Sequence, residues 1–263
     1  MCEACRSTTL SFESAARLFV ALDVESLADA EALLDRLGDR APGVKIGTQL
    51  FTAAGPAAIE RAHTRGARVF LDLKYHDIPN TVAGAVREAT RLGVFMLNVH
   101  ASGGVAMMRA AAEAATKAAR DFAVPRPIVL GVTVLTSLDR KALAQDLALS
   151  ASVESHVLHL AQRAREAGLD GCVASPQEIG LLRRALGSKW VIVTPGIRPG
   201  ATQAGGAGGP GEAPRPNDDQ RRVATPASAI RAGADYLVVG RPITAAPDPA
   251  AAITAIVEEI RTA

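Results

Sequence analysis

Residues Phe70–Thr81 read FLDLKYHDIPNT. The apolar run Val69-Phe70-Leu71 has the character of a buried strand, yet it leads directly into Asp72, Lys74 and Asp77. An isolated buried charge is very costly, so these side chains must neutralise one another, hold a metal or act on a substrate. Side chains alternate along a strand, which puts Asp72 and Lys74 on one face and Leu71 and Leu73 on the other. The leucines suit contact with covering helices, so the charged face looks inward. Asp77 lies past the strand, and Pro79 suits the first turn of a helix, where a missing N–H costs nothing.

Outward from this stretch, short β-branched apolar runs alternate with Ala/Leu/Arg/Glu-rich segments of helical period, the pattern of β-α units around a parallel sheet. Strands are expected over Leu18–Asp23, Val44–Thr48, Val69–Lys74, Phe95–His100, Ile128–Leu135, Gly171–Ser175, Val191–Pro195 and Tyr236–Gly240. Helices are expected over Leu27–Leu37, Pro56–Arg65, Val82–Leu92, Val105–Phe122, Val153–Ala167, Gln177–Leu186, Pro226–Ala232 and Pro249–Arg261. Strand and helix alternating eight times over a chain of 263 residues predict an α/β fold, a single-domain (β/α)8 TIM barrel. An open doubly wound sheet is the alternative. It usually carries a glycine-rich turn after its first strand, and Asp23-Val24-Glu25-Ser26 has no glycine.

Composition narrows the function classes. The chain is 48% hydrophobic, enough for a large core, and 29 basic against 27 acidic residues leave a formal charge of +2. That balance, with no Lys/Arg block, argues against nucleic-acid binding. No apolar run approaches the roughly 20 residues that span a bilayer. Residues 1–16 lack the apolar stretch of a signal peptide and read as a flexible tail, so a cytoplasmic protein is expected. Three cysteines, Cys2, Cys5 and Cys172, make no disulfide framework. Cys2 and Cys5 form a C-x-x-C pair with no second pair to complete a zinc site.

In barrels of this kind the working site lies at the C-terminal ends of the strands. Asp23, Asp72, Lys74, His100, Thr136, Arg198 and Arg241 fall at or just past such ends, and Lys45 slightly inside one. Lys45 lies between Val44 and Ile46 and faces inward with Asp72 and Lys74. A metal site is conceivable, but two lysines are poor neighbours for a cation. A buried ion pair with a helix-start acid at Asp77 is the purely structural reading. His76 and His100 read as hydrogen-bonding support, and Met107 and Met108 as core filler. At the closing strands, Gly240 would let backbone N–H groups approach a phosphate, while Arg241 and Arg198 supply guanidinium forks. Residues 199–219, rich in Gly and Pro, compose like a lid loop at that end.

Together these residues resemble the orotidine 5′-phosphate decarboxylase family. DLKYHDIPNT matches its D-x-K-x-x-D-I-P-x-T signature. VALDV (Val20–Val24), VKIGTQLF (Val44–Phe51), NVHASGG (Asn98–Gly104), VTVLTS (Val132–Ser137), TPGIRP (Thr194–Pro199), DQRR (Asp219–Arg222) and VVGRPI (Val238–Ile243) follow in the family's order. The resemblance runs from about Arg17 to Ile260. It implies a homodimer with Lys45, Asp72 and Lys74 from one subunit and Asp77 and Thr81 from the other. Asp23 and Lys45 would contact ribose hydroxyls and Thr136 the pyrimidine. Arg198, Gln220, Gly240 and Arg241 would hold the phosphate. The segment between Arg198 and Gln220 is longer than the family usually has.

The activity implied is decarboxylation of orotidine 5′-monophosphate to uridine 5′-monophosphate, a step of pyrimidine biosynthesis, with no metal or organic cofactor. Lys74 would stabilise and protonate a carbanion at C6, with Asp72 and Asp77 fixing its ammonium. Two other readings stay open: a metal-dependent sugar-phosphate decarboxylase or aldolase barrel, which shares D-x-K-x-x-D, and a nucleotide-binding barrel without activity.

Overall fold

The computed structural model describes residues 13–38, 43–200 and 223–263. Eight parallel strands close into a barrel in sequence order, β1 through β8, with β8 pairing back onto β1. They are β1 (Leu18–Ala21), β2 (Gly43–Gly47), β3 (Arg68–Tyr75), β4 (Met96–His100), β5 (Ile128–Val132), β6 (Gly171–Val173), β7 (Val191–Thr194) and β8 (Tyr236–Val239). All eight expected strands are present. Several stop one to three residues earlier than their apolar runs, because those last residues turn into the loops at the barrel mouth.

Helices cover the barrel: α1 (Leu27–Leu37), α2 (Thr48–Ala54), α3 (Ala57–His63), α4 (Pro79–Arg91), α5 (Gly104–Asp121) and α6 (Arg140–Asp146). Then come α7 (Val153–Glu166), α8 (Ile179–Leu186), α9 (Pro226–Ala232), α10 (Arg241–Thr244) and α11 (Pro249–Arg261). Local chemistry sets their starts. The Ser26 hydroxyl accepts from Asp29 N–H, Ser152 from Ser155 N–H and Thr225 from Ser228 N–H. Each satisfies a backbone donor that the first helical turn leaves open. Pro79, Pro226 and Pro249 open α4, α9 and α11. The short helices α2, α6 and α10 were not expected, since four to seven residues carry too little period to read.

Two apolar layers follow from strand alternation. Phe19, Ala21, Phe70, Met96, Leu130, Val193 and Val238 fill the barrel interior. Leu18, Val20, Val44, Ile46, Leu71, Leu97 and Leu237 face the helices. Phe19 and Phe70 meet edge to face at 6.2 Å between ring centroids, closing the barrel beneath its mouth. Met107 and Met108 lie fully buried in the outer layer, as expected. Gly171 marks the tightest strand approach: a Cβ there would stand 2.2 Å from the Val191 carbonyl oxygen.

Of the expected tail, residues 1–12, with Cys2 and Cys5, lie outside the described residues, and residues 13–15 form a helical turn. Most of the expected lid, residues 201–219, and Gln220 also lie outside them. The chain on either side of that segment is joined: Ile197 pairs with Ala224, and Arg198 N–H donates to Ala224 O at 2.9 Å. Among the described residues no helix is long and apolar enough to cross a membrane.

Candidate functional site

Asp23, just past β1, meets Lys45 of β2 and Asp72 and Lys74 of β3 at the C-terminal mouth of the barrel. Lys45 Nζ donates to Asp23 Oδ1 at 2.9 Å and lies 3.4 Å from Asp72 Oδ2. Lys74 Nζ donates to the other Asp72 oxygen, Oδ1, at 2.7 Å. The result is a continuous chain of alternating charge, Asp23–Lys45–Asp72–Lys74, across three neighbouring strands. Lys45 and Asp72 are each only 9% exposed, whereas the Lys74 side chain is 35% exposed. Burial works against the Lys45 ammonium, but the carboxylates of Asp72 and Asp23 outweigh it and hold its pKa above the ordinary lysine value.

The backbone beneath Lys74 departs from the regular strand that alternation alone predicts. β3 pairs with β4 at Leu71↔Leu97 and next at Tyr75↔Val99, so four steps along β3 match two along β4. Lys74 absorbs the excess with φ 51°, in the left-handed region. For a side chain with a Cβ this conformation costs about 1–2 kcal/mol. Its N–H leaves the ladder and donates instead to Asn98 Oδ1 at 2.8 Å. Asn98 Nδ2 in turn donates to Asp72 Oδ1 at 2.6 Å. Leu71 and Leu73 pack on the helix side as expected, and Asp72 and Lys74 still meet, but across a bulge.

Asn98 and Gly47 are part of this arrangement and were not singled out from sequence. In MLNVH alternation places Asn98 on the inward face with Met96, but a single polar residue there does not announce its partners on β3. At Gly47 an added Cβ would lie 3.1 Å from Lys45 Nζ and 3.5 Å from Asp23 Oδ1. Nothing in its local sequence signals that, because the requirement comes from two other strands.

The remaining expected residues fall into three groups. Gly240, at the end of β8, borders Asp23: a Cβ there would lie 3.8 Å from Asp23 Oδ2. Arg241 opens α10, and Arg198 follows β7, the strand paired with β8. Thr136 sits in the turn after β5 and lines a cavity of about 180 Å³ with Asp139, Glu154 and Gln177. Asp77 and Thr81 are exposed on the rim beside Ile78, and Asp77 Oδ1 accepts from Ile78 N–H at 2.6 Å. The rings of His76 and His100 lie 5.3 Å apart. Burial, His76 and Lys74 together hold the His100 pKa below its ordinary value. Among the described residues no three His, Cys, Asp or Glu side chains converge as a ligand set for a metal ion.

An ordered ammonium on a buried carboxylate, with a second lysine behind it, can stabilise negative charge developing at the mouth without reorganising. Residues 16–256 match the family described as Orotidine 5'-phosphate decarboxylase / HUMPS family. The orotidine 5'-phosphate decarboxylase of Moorella thermoacetica is 55% identical over 244 residues, 93% of this chain and 92% of the relative. That of Pelobacter propionicus is 48% identical over 248 residues, 94% of this chain and 96% of the relative. The crystal structure of the Lactobacillus acidophilus orotidine 5'-phosphate decarboxylase superposes with a TM-score of 0.77 at 35% identity, covering 92% of this chain and 98% of that one. With nearly the whole barrel matched, the chain belongs to the orotidine 5'-phosphate decarboxylase / HUMPS family.

Proposed function

We propose that this protein converts orotidine 5′-monophosphate to uridine 5′-monophosphate and carbon dioxide, in pyrimidine nucleotide synthesis, using its own side chains alone. The observation that carries this reading is the Asp23–Lys45–Asp72–Lys74 chain at the mouth of a barrel of this family. In the reaction the bond from C6 to the carboxyl carbon breaks and its electron pair stays on C6, in an orbital in the ring plane. The pyrimidine π-system cannot take up that pair, so stabilisation falls on fixed charge nearby. The Lys74 ammonium faces the position of C6, stabilises the carbanion and donates a proton to it; the neutral amine regains a proton from water. Asp72 holds Lys74 Nζ in place, and Lys45 balances the second oxygen of Asp72.

Substrate binding divides among the other residues. Asp23 and Lys45 take the ribose hydroxyls, and Thr136 takes the pyrimidine. Arg198, Gln220, Gly240 and Arg241 take the phosphate. Enzymes lower barriers by roughly 8–23 kcal/mol, more than one lysine supplies, so binding energy from the distant phosphate helps organise the site. The working form is a homodimer. Ile78, 67% exposed on the rim, gains a cover there, and Asp77 and Thr81 reach the partner's Lys74. A soluble, cytoplasmic enzyme fits this role.

The test is ultraviolet absorbance of orotidine 5′-monophosphate with purified protein and excess chelator. Loss of the orotate band with formation of uridine 5′-monophosphate supports the proposal. Activity that appears only on adding divalent metal would replace it with a metal-using barrel. Lys74→Ala should abolish turnover while product binding stays measurable, and near-normal turnover would remove Lys74 from the chemistry.

A further inference from the structure

Asn98 grips Lys74 at both ends. Its Oδ1 accepts from the Lys74 backbone N–H, while its Nδ2 donates to the Asp72 oxygen that also holds Lys74 Nζ. Backbone N–H, carboxamide, carboxylate and ammonium therefore close one ring of hydrogen bonds. Asn98 is fully buried, so no water takes over either contact cheaply. Its amide has one orientation that satisfies both neighbours, oxygen toward the N–H and nitrogen toward the carboxylate. The bulge makes this grip necessary, because it removes the Lys74 N–H from the β3–β4 ladder and leaves the residue at φ 51°.

We infer that Asn98 is a positioning residue for the Lys74 ammonium: its carboxamide fixes both the backbone and the carboxylate that aim Nζ into the barrel mouth. This rests on the decarboxylase reading for its consequence in catalysis, though not for the geometry. A neutral group that both donates and accepts is required. An aspartate supplies the acceptor but sets a second carboxylate against Asp72, and a leucine of similar size supplies neither contact.

The test is steady-state kinetics of Asn98→Ala and Asn98→Asp as full-length protein, with orotidine 5′-monophosphate as substrate. Displacing a reacting group by about 1 Å costs on the order of 100-fold, so kcat should fall by about that factor. KM should change little, because the contacts proposed for ribose and phosphate lie on β1, β2, β7 and β8. Asn98→Asp should regain kcat as pH falls, since one proton shared between the two carboxylates restores the missing donor. Lys45, Lys74, His76 and His100 stand nearby in both proteins, so the difference between the variant and parent profiles isolates the pair. A purely structural Asn98 would give a loss independent of pH, and that outcome, or a loss confined to KM, overturns the inference. If Asn98→Ala does not fold, the near-isosteric aspartate carries the test alone. If the parent protein does not decarboxylate the nucleotide, the functional proposal fails separately. Hydrogen exchange at the Lys74 amide then decides: faster exchange in Asn98→Ala, or in Asn98→Leu should the alanine variant not fold, at unchanged global stability supports the inference because both remove the acceptor, and unchanged exchange overturns it.

Discussion

Lys74 is the residue proposed to do the chemistry and also the one held in the left-handed region, at φ 51°. Replacing it with alanine or glycine separates these two properties. Both variants lose the 2.7 Å contact with Asp72 equally, so their difference in stability reports the backbone alone. Alanine in this conformation retains the penalty of about 1–2 kcal/mol, and glycine escapes it. Against that, glycine gives up about 0.5–1 kcal/mol through the greater freedom of the unfolded chain. Lys74→Gly should therefore be more stable than Lys74→Ala by about 0.5–1 kcal/mol. For a chain of this size that is a difference of roughly 1–4 °C in thermal midpoint. Ala123, at φ 53° after α5, provides a control away from the site: Ala123→Gly should also stabilise, with activity kept. Ala106, exposed within α5, should show the ordinary sign, with glycine about 1 kcal/mol worse. The assay is urea or thermal unfolding of the four variants, with absorbance assays of turnover alongside. A Lys74→Gly protein less stable than Lys74→Ala would refute the left-handed backbone, and decarboxylation by either variant would refute the proposed role of the ammonium.

In the proposed homodimer, mixing Lys74→Ala and Asp77→Asn proteins, each expected to be inactive, after dissociation and reassociation should restore roughly a quarter of parental activity, because half the dimers would be mixed and each would hold one intact site. Continued inactivity at equilibrium would place Asp77 and Lys74 in the same subunit's site. Gly171→Ala should lower stability by about 2–3 kcal/mol, or roughly 4–12 °C, because its Cβ meets the Val191 carbonyl oxygen and the β7 backbone cannot yield. A normal melting curve would show that the two strands can separate there. His100, with its folded pKa held below 6.5, is neutral where the unfolded chain already takes up a proton. Its contribution is intact above pH 6.5 and declines as pH falls from there toward the folded value. His100→Gln should therefore flatten the pH dependence of the urea midpoint below 6.5, and an unchanged slope would exclude it.

The barrel was legible because its two signals are local. Each strand carries its own apolar run, and each long helix its own period and start. FLDLKYH shows where such local rules end. Alternation put Asp72 and Lys74 on one face and brought them together correctly, but it assumed a regular strand. The structure spends two extra residues between Leu71 and Tyr75, and no property of residues 71–75 alone announces that. What satisfies the displaced N–H lies on the next strand, where Asn98 offers both an acceptor for it and a donor for Asp72. Gly47 is a similar case, since its lack of a side chain matters only once Lys45 and Asp23 meet above it.

Residues whose role is decided within one element could thus be found from sequence, whereas those decided by the register between elements could not. The distinction bears on how the site works. Asp72 and Lys74 carry charge and are conspicuous in an apolar strand. Asn98 is neutral and sits in MLNVH, where a single polar residue reads as an ordinary interruption. Yet without the asparagine the same charges would still pair, through Lys45–Asp72 and Asp72–Lys74, and only their direction would change. Charge neutrality is therefore a weak constraint on this site and orientation a strong one. On the proposed reading the charged residues supply the chemistry, and the neutral one on the neighbouring strand determines where the ammonium is delivered.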